Sequence, residues 1–334
     1  MNFSTVTSAR TVSPFVTAAL SKGVSAAQSA YAISRDQKAS LASDGTATTS
    51  ATNSVTVQIS PQALAASNPT GSTAVTYYGQ FFPARAGYRS DALAMAVGSP
   101  GAESSSAGKD SKTVATDARA SMDKIYADMK SSGKPFNINS NEGEDWNALM
   151  GNLDRRSLNA VVTNSGGLFS KDEQMIAQSV MTQQMALASG SYAGPTRLAS
   201  KYVDITGADP AAYQRNMMKF LDQVSPDEKA SGNWVITRAG TELLYHQISS
   251  EEGRPVDRSG DSSDPLVQKM IAAMKKANAD HKMHGGRIDN SADLAASPVF
   301  SDPAYVDVLK DIAVRQASIG NSPTQTPSAI PAQI

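Results

Sequence analysis

The sequence predicts an all-α protein: a single helical domain, preceded by a long, largely disordered N-terminal region and followed by a disordered C-terminal tail. Three observations predict this class. Beyond residue 110, apolar residues recur at spacings of three and four, the period of a helix that buries one face. Four acceptor–proline pairs, Asp209-Pro210, Ser225-Pro226, Asp264-Pro265 and Asp302-Pro303, mark helix starts. The side-chain oxygen accepts from free backbone N–H groups, and proline at the first helical position surrenders an N–H that has no partner there. Before residue 75 and after residue 320 the chain is instead rich in Ser, Thr, Ala and Pro, with little apolar surface to bury.

Residues 1–74 read as a disordered leader with short helices. Leu20, Val24, Ala27 and Tyr31 fall at helical spacing after Ser13-Pro14, but Gly23 and many serines weaken that helix. From Arg35 to Ser54, Leu41 is the one large apolar residue, the composition of a linker. The stretch from Val55 to Ile59 alternates like a strand until Ser60-Pro61 stops it. With no partner strand in view, it reads as an extended arm.

Residues 75–110 read as an aromatic docking arm and loop. Tyr77, Tyr78, Phe81, Phe82 and Tyr88 concentrate there in a chain whose aromatic content is only 6%. Such rings either dock the arm onto the helical body or form an exposed patch that binds a partner protein.

The helical domain spans 111–320. Val114, Ala118, Met122, Ile125 and Met129 form the first stripe, which Gly133 and Pro135 terminate. Trp146, Leu149, Met150 and Leu153 begin a second pattern, continued by Leu158, Val161 and Val162 beyond Asp154-Arg155-Arg156. Ser170 and Glu173 form a capping box that opens a helix bearing Ile176, Val180 and Leu187, and Ser225 with Glu228 repeats the pattern. Later faces carry Met217, Phe220 and Leu221, then Trp234 and Val235, then Leu266, Val267, Met270 and Ile271, then Val308 and Ile312. Gly320 ends the last helix, and 321–334 is the tail. The helix starts recur irregularly, which argues against a solenoid.

Composition narrows the chemistry. The formal net charge of -1 argues against nucleic acid or an anionic lipid surface as the partner. No run approaches the roughly 18 apolar residues of a membrane span. No basic residue precedes Arg10, so the N-terminus lacks the cationic start of a cleaved signal peptide. The expected location is cytoplasmic, or secreted without a cleaved signal peptide. Cysteine is absent, which excludes disulfides, thiolate metal sites and Cys nucleophiles, and no cofactor is expected. Gly101 to Lys109 has the wrong glycine spacing for a phosphate loop, and Asp110 follows the lysine. Gly190 to Gly194 does not centre its serine as a nucleophile elbow requires.

Two stretches are candidate metal sites. Aligned with Gly167 at the sixth loop position, residues 162–173 outline a degenerate EF-hand with Asn164 third and Glu173 twelfth. Val162 stands where the first carboxylate belongs, which leaves Asn164 and Glu173 as the expected side-chain ligands. The bland reading is a helix–loop–helix hinge held by the Ser170 cap. His281 and His284, spaced i, i+3, could meet His246 or Asp280 around a zinc ion, but the glycines that follow read as a helix end, where histidine is favoured without metal. The clusters Asp154-Arg155-Arg156, Glu251-Glu252 and Lys275-Lys276 read as solvated helix faces.

The stretch from Val57 to Leu64, Val-x-Ile-Ser-x-x-Ala-Leu after a Ser/Thr-rich leader, resembles a segment of small proteobacterial proteins, some exported or regulated through the flagellar-type secretion pathway. The block from Leu153 to Gln174, opening on Leu-Asp-Arg-Arg, is similar to a helix–loop–helix of uncharacterised proteobacterial proteins. The resemblance implies a bacterial source and carries no catalytic residue. The expected function is a non-enzymatic helical module that binds another protein, a bacterial export substrate or regulator. The alternatives are a metal-dependent hydrolase using His281 and His284, and a calcium-responsive protein built on residues 162–173.

Overall fold

A computed structural model describes residues 72–284 and 303–320 of the chain. The expected leader up to residue 71, with its strand-like segment at 55–59, and the tail from 321 lie outside the described residues. Among the described residues all regular structure is helical, as the periodicity predicts. No helix there is long and apolar enough to cross a membrane.

Eleven α-helices are described: α1 (Ser72–Gly79), α2 (Asp91–Gly98), α3 (Ser111–Ser131), α4 (Glu144–Met150), α5 (Arg155–Val162), α6 (Lys171–Ser189), α7 (Pro210–Gln223), α8 (Pro226–Lys229), α9 (Gly232–Glu251), α10 (Pro265–His284) and α11 (Pro303–Gly320). Their starts follow the predicted cap chemistry. Asp110, Asp154, Ser170, Asp209, Ser225 and Ser231 each accept a backbone N–H from the first turn of the helix that follows. Asp264 does the same for α10, accepting from Leu266 at 2.8 Å. At Ser170 the box is complete, with the Glu173 carboxylate accepting the Ser170 N–H in return. The box predicted at Ser225 is only half built. Its serine accepts from the Glu228 N–H, but the Glu228 carboxylate turns to Arg155 instead.

Among the described residues the helices enclose two large apolar cores, beside a smaller cluster of Ala211, Met218, Tyr245 and Ile248 on α7 and α9. The first gathers α1 to α6 around Phe81, Leu93, Met122, Leu149, Leu158 and Ile176. The second gathers α7 and α9 to α11 around Phe220, Trp234, Val267, Tyr305 and Ile312. Helix α6 serves both. Ile176, Val180 and Leu187 enter the first core, while Met185 and Ala188 pack against the second.

Residues 75–110, expected as an arm, contribute α1 and α2 to the first core. Tyr77, Tyr78, Phe81 and Phe82 are buried within the chain, so they do not form an exposed partner patch. Tyr88 is half-buried against the same core. The pattern expected to run from Trp146 through Leu158 is interrupted between α4 and α5. There Gly151 packs so tightly that a Cβ would stand 1.8 Å from the Arg89 carbonyl oxygen.

The expectation that Asp154-Arg155-Arg156 is a solvated face is also corrected. Asp154 and Arg155 are buried, because α5 lies between the two cores rather than on the surface. Asp154 collects N–H groups from Ser105, Ser106 and Ser157, each at 2.8 Å, tying the 99–110 loop to α5. Burial pushes its carboxyl pKa upward, but those hydrogen bonds outweigh burial and hold it below the ordinary range.

Candidate functional site

The rings that sequence reading singled out organise a cleft rather than occupying a surface. Phe81 stands edge-on to Tyr77 at 5.5 Å, to Tyr192 at 5.7 Å and to Tyr202 at 5.9 Å between centroids. Edge-to-face geometry sets the positive rim of one ring against the negative face of the next. This cluster fixes the 190–202 segment against α1. Tyr202 donates to the Leu187 carbonyl and Tyr77 accepts from the Val203 N–H. The remaining gap between that segment, α4 and α6 is a cleft of about 290 Å³, lined by Phe81, Glu142, Trp146, Ser179, Gln183 and Pro195 among others.

Most polar side chains of the cleft are already engaged. Gln183 donates to the Phe81 carbonyl at 2.6 Å, Ser179 to the Met175 carbonyl at 2.9 Å and the Trp146 indole to the Ile138 carbonyl at 2.7 Å. Glu142, in a left-handed backbone conformation at φ 49, forms an ion pair with Arg197 at 2.5 Å. Among the described residues no histidine lines the cleft beside Ser179.

From this cleft the outer face of α6 runs back towards its N-terminus. Between Gln174 and Ser189 the helix carries no charged residue. Over that stretch its exposed positions are Met175, Ser179 and Thr182, while the first turn exposes Lys171 and Asp172 and Leu168 lies just before the helix. Leu168 and Met175 are 40% and 44% exposed, two of the three large apolar side chains exposed among the described residues. Sequence reading passed over this face, although the gap in charge was visible there.

The EF-hand outline resolves into a capped hinge. Asn164 adopts φ 50, and its side-chain oxygen accepts the Phe169 N–H at 2.8 Å. Glu173 receives Arg119 at 2.8 Å and Tyr126 at 3.1 Å on one oxygen, and the Ser170 N–H at 2.8 Å on the other. Burial raises the Glu173 pKa, but Arg119 and the Ser170 N–H together pull it below the ordinary value. Both expected calcium ligands therefore have structural partners.

His281 and His284 occupy the last turn of α10, whose side chains are described only as far as Lys276. The third histidine has partners that sequence reading did not name. His246 Nε2 lies 2.7 Å from Asp261 Oδ1, and Glu242 stands one turn earlier on α9. No protein-family model, curated protein or solved structure matches this chain.

Proposed function

We propose that this chain is a non-enzymatic helical module that binds another protein, seating a short apolar segment of that partner along α6 with one side chain entering the cleft beside Trp146. The observation that carries the reading is the outer face of α6 beyond its first turn, uncharged from Gln174 to Ser189, with Met175 exposed at one end and the cleft at the other. A solvated helix face ordinarily carries Lys and Glu, and a partner's apolar segment is disfavoured where such charges must be desolvated. The cleft volume suits one large side chain better than a substrate that must be enclosed on all sides.

The carboxylates support binding over catalysis. Those with displaced pKa values among the described residues move down, as with Asp154, Glu173, Asp264 and Asp209, the last to about 2. A general acid at neutral pH needs the opposite displacement. The leader would then serve export or tethering. Mass spectrometry of culture medium from secretion-competent and secretion-deficient cells measures that role directly.

Photo-crosslinking tests the binding surface. A crosslinking residue placed at Met175 or Thr182 is expected to trap a discrete protein adduct in cells, while the same residue at exposed Lys275 traps none. Absence of adducts at the α6 positions, or the same adducts at Lys275, would overturn the proposal.

A further inference from the structure

The second core carries a cluster outside that surface. Glu242 and His246 project from one face of α9 at i, i+4 spacing, and Asp261 reaches them from the 252–264 loop. One ligand atom from each lies within 4.8 Å of those of the other two. From this juxtaposition we propose that Glu242, His246 and Asp261 form a binding site for a first-row divalent cation, zinc being the best chemical fit, which fastens the 252–264 loop to α9.

The donor set favours zinc over harder ions. One imidazole nitrogen and two carboxylate oxygens make three protein ligands, leaving a fourth tetrahedral position to water. Calcium and magnesium favour all-oxygen cages and gain little from imidazole. The two carboxylates neutralise a divalent charge with histidine neutral. The nearest buried cation among the described residues, Arg238, pairs with Glu242 and with Asp222, each at 2.8 Å, so Asp222 supplies it a counter-charge besides Glu242.

The surroundings hold the ligands in place. Arg238 and the Ser262 N–H both bind Glu242 Oε2 at 2.8 Å, which fixes the carboxylate and leaves Oε1 to turn towards a metal. Among the described residues only Gln268 reaches Oε1, at 3.3 Å, and that amide keeps a shorter bond to the Ser262 carbonyl at 2.7 Å. Arg258 approaches the far oxygen of Asp261 at 3.3 Å from a largely exposed side chain. Metal entry requires one local change. Zinc–ligand bonds of about 2.0–2.1 Å place tetrahedral ligands roughly 3.3 Å apart. The His246–Asp261 contact, now 2.7 Å, must therefore open while Glu242 draws in. The metal takes the place of the proton shared by that pair.

Calorimetric titration of the full-length, chelator-treated protein with zinc chloride tests the site, with calcium chloride as the control ion. One zinc per chain is expected at this site, with no calcium signal. His246→Ala and Asp261→Asn should each weaken its zinc affinity by at least about tenfold. The double variant His281→Ala/His284→Ala should leave it unchanged. Asp261→Asn preserves shape, so it decides the question if His246→Ala fails to keep its helical circular dichroism. No stoichiometric zinc binding, or binding lost in the His281/His284 variant but kept in Asp261→Asn, would overturn the proposal.

Discussion

Two glycines show how differently the same residue behaves within a few ångströms of packing. A Cβ at Gly151 would sit 1.8 Å from the Arg89 carbonyl oxygen and 2.7 Å from that of Asn147, both of them backbone atoms that no rotamer change can move aside. Gly151→Ala should therefore displace the α4–α5 turn and cost about 2–3 kcal/mol in urea unfolding, the upper part of the overpacking range. Gly240 lies inside α9, where an added Cβ meets only the Met274 methyl at 4.0 Å. Gly240→Ala should stabilise by about 0.5–1 kcal/mol, since alanine loses less backbone entropy in a helix. Equal effects at the two positions would show that the close approach at Gly151 does not constrain the fold. Neither outcome was legible in the sequence, because a glycine's neighbours come from remote segments.

At the scale of the element, the cap residues were the most legible feature and their distant partners the least. Ser170 and Glu173 announce the start of α6 three residues apart, but Arg119, which takes the Glu173 carboxylate, lies more than fifty residues upstream. Local pattern alone therefore left Glu173 open to a calcium reading. Glu173→Gln should cost about 1.5–3 kcal/mol, the range for a hydrogen bond to a charged group. Excess calcium should leave the melting temperature of the parent protein unchanged, and a rise with calcium would restore the EF-hand reading. Asp209, the cap of α7, adds a pH dependence. Its carboxylate receives both Arg254 nitrogens, at 2.8 and 2.9 Å, and the Arg254 pair holds its pKa at about 2 against an ordinary 3.8. A depressed pKa stabilises above the unfolded value, and that contribution is lost as pH falls through the folded one. The pair is about a third exposed, so solvent screening reduces it to about 1 kcal/mol. Asp209→Asn should lower stability by that amount at pH 7, and the difference should shrink from pH 4 towards pH 2.

For the whole molecule, periodicity predicted helices but not their division between two cores. Stripes on α6 and on α7 look alike in sequence, and only their packing shows which core each enters. The join between the cores is a charged contact that composition assigned to solvent. Arg155 on α5 meets Glu228 on α8 at 2.7 Å with both side chains under 10% exposed. Its guanidinium also donates to the Met181 carbonyl and to Gln184, each at 3.0 Å, and lies 4.7 Å from the Phe220 ring centroid in the second core. Every guanidinium nitrogen is thus satisfied in a place water does not reach, a condition under which a buried pair holds together. Removing one partner reverses that balance, because the remaining charge stays desolvated. Glu228→Gln should cost about 3–5 kcal/mol. At roughly 2–4 °C per kcal/mol for a protein of this size class, that lowers the melting temperature on the order of 10 °C by scanning calorimetry. The double variant Arg155→Met/Glu228→Leu should recover most of the loss, since two apolar side chains leave no charge unpaired. If Glu228→Gln instead melts within about 1 kcal/mol of the parent, the range of an exposed pair, the join between the cores rests on apolar packing along α6 and α7 and on the neighbouring Arg156–Asp227 pair rather than on Arg155 and Glu228.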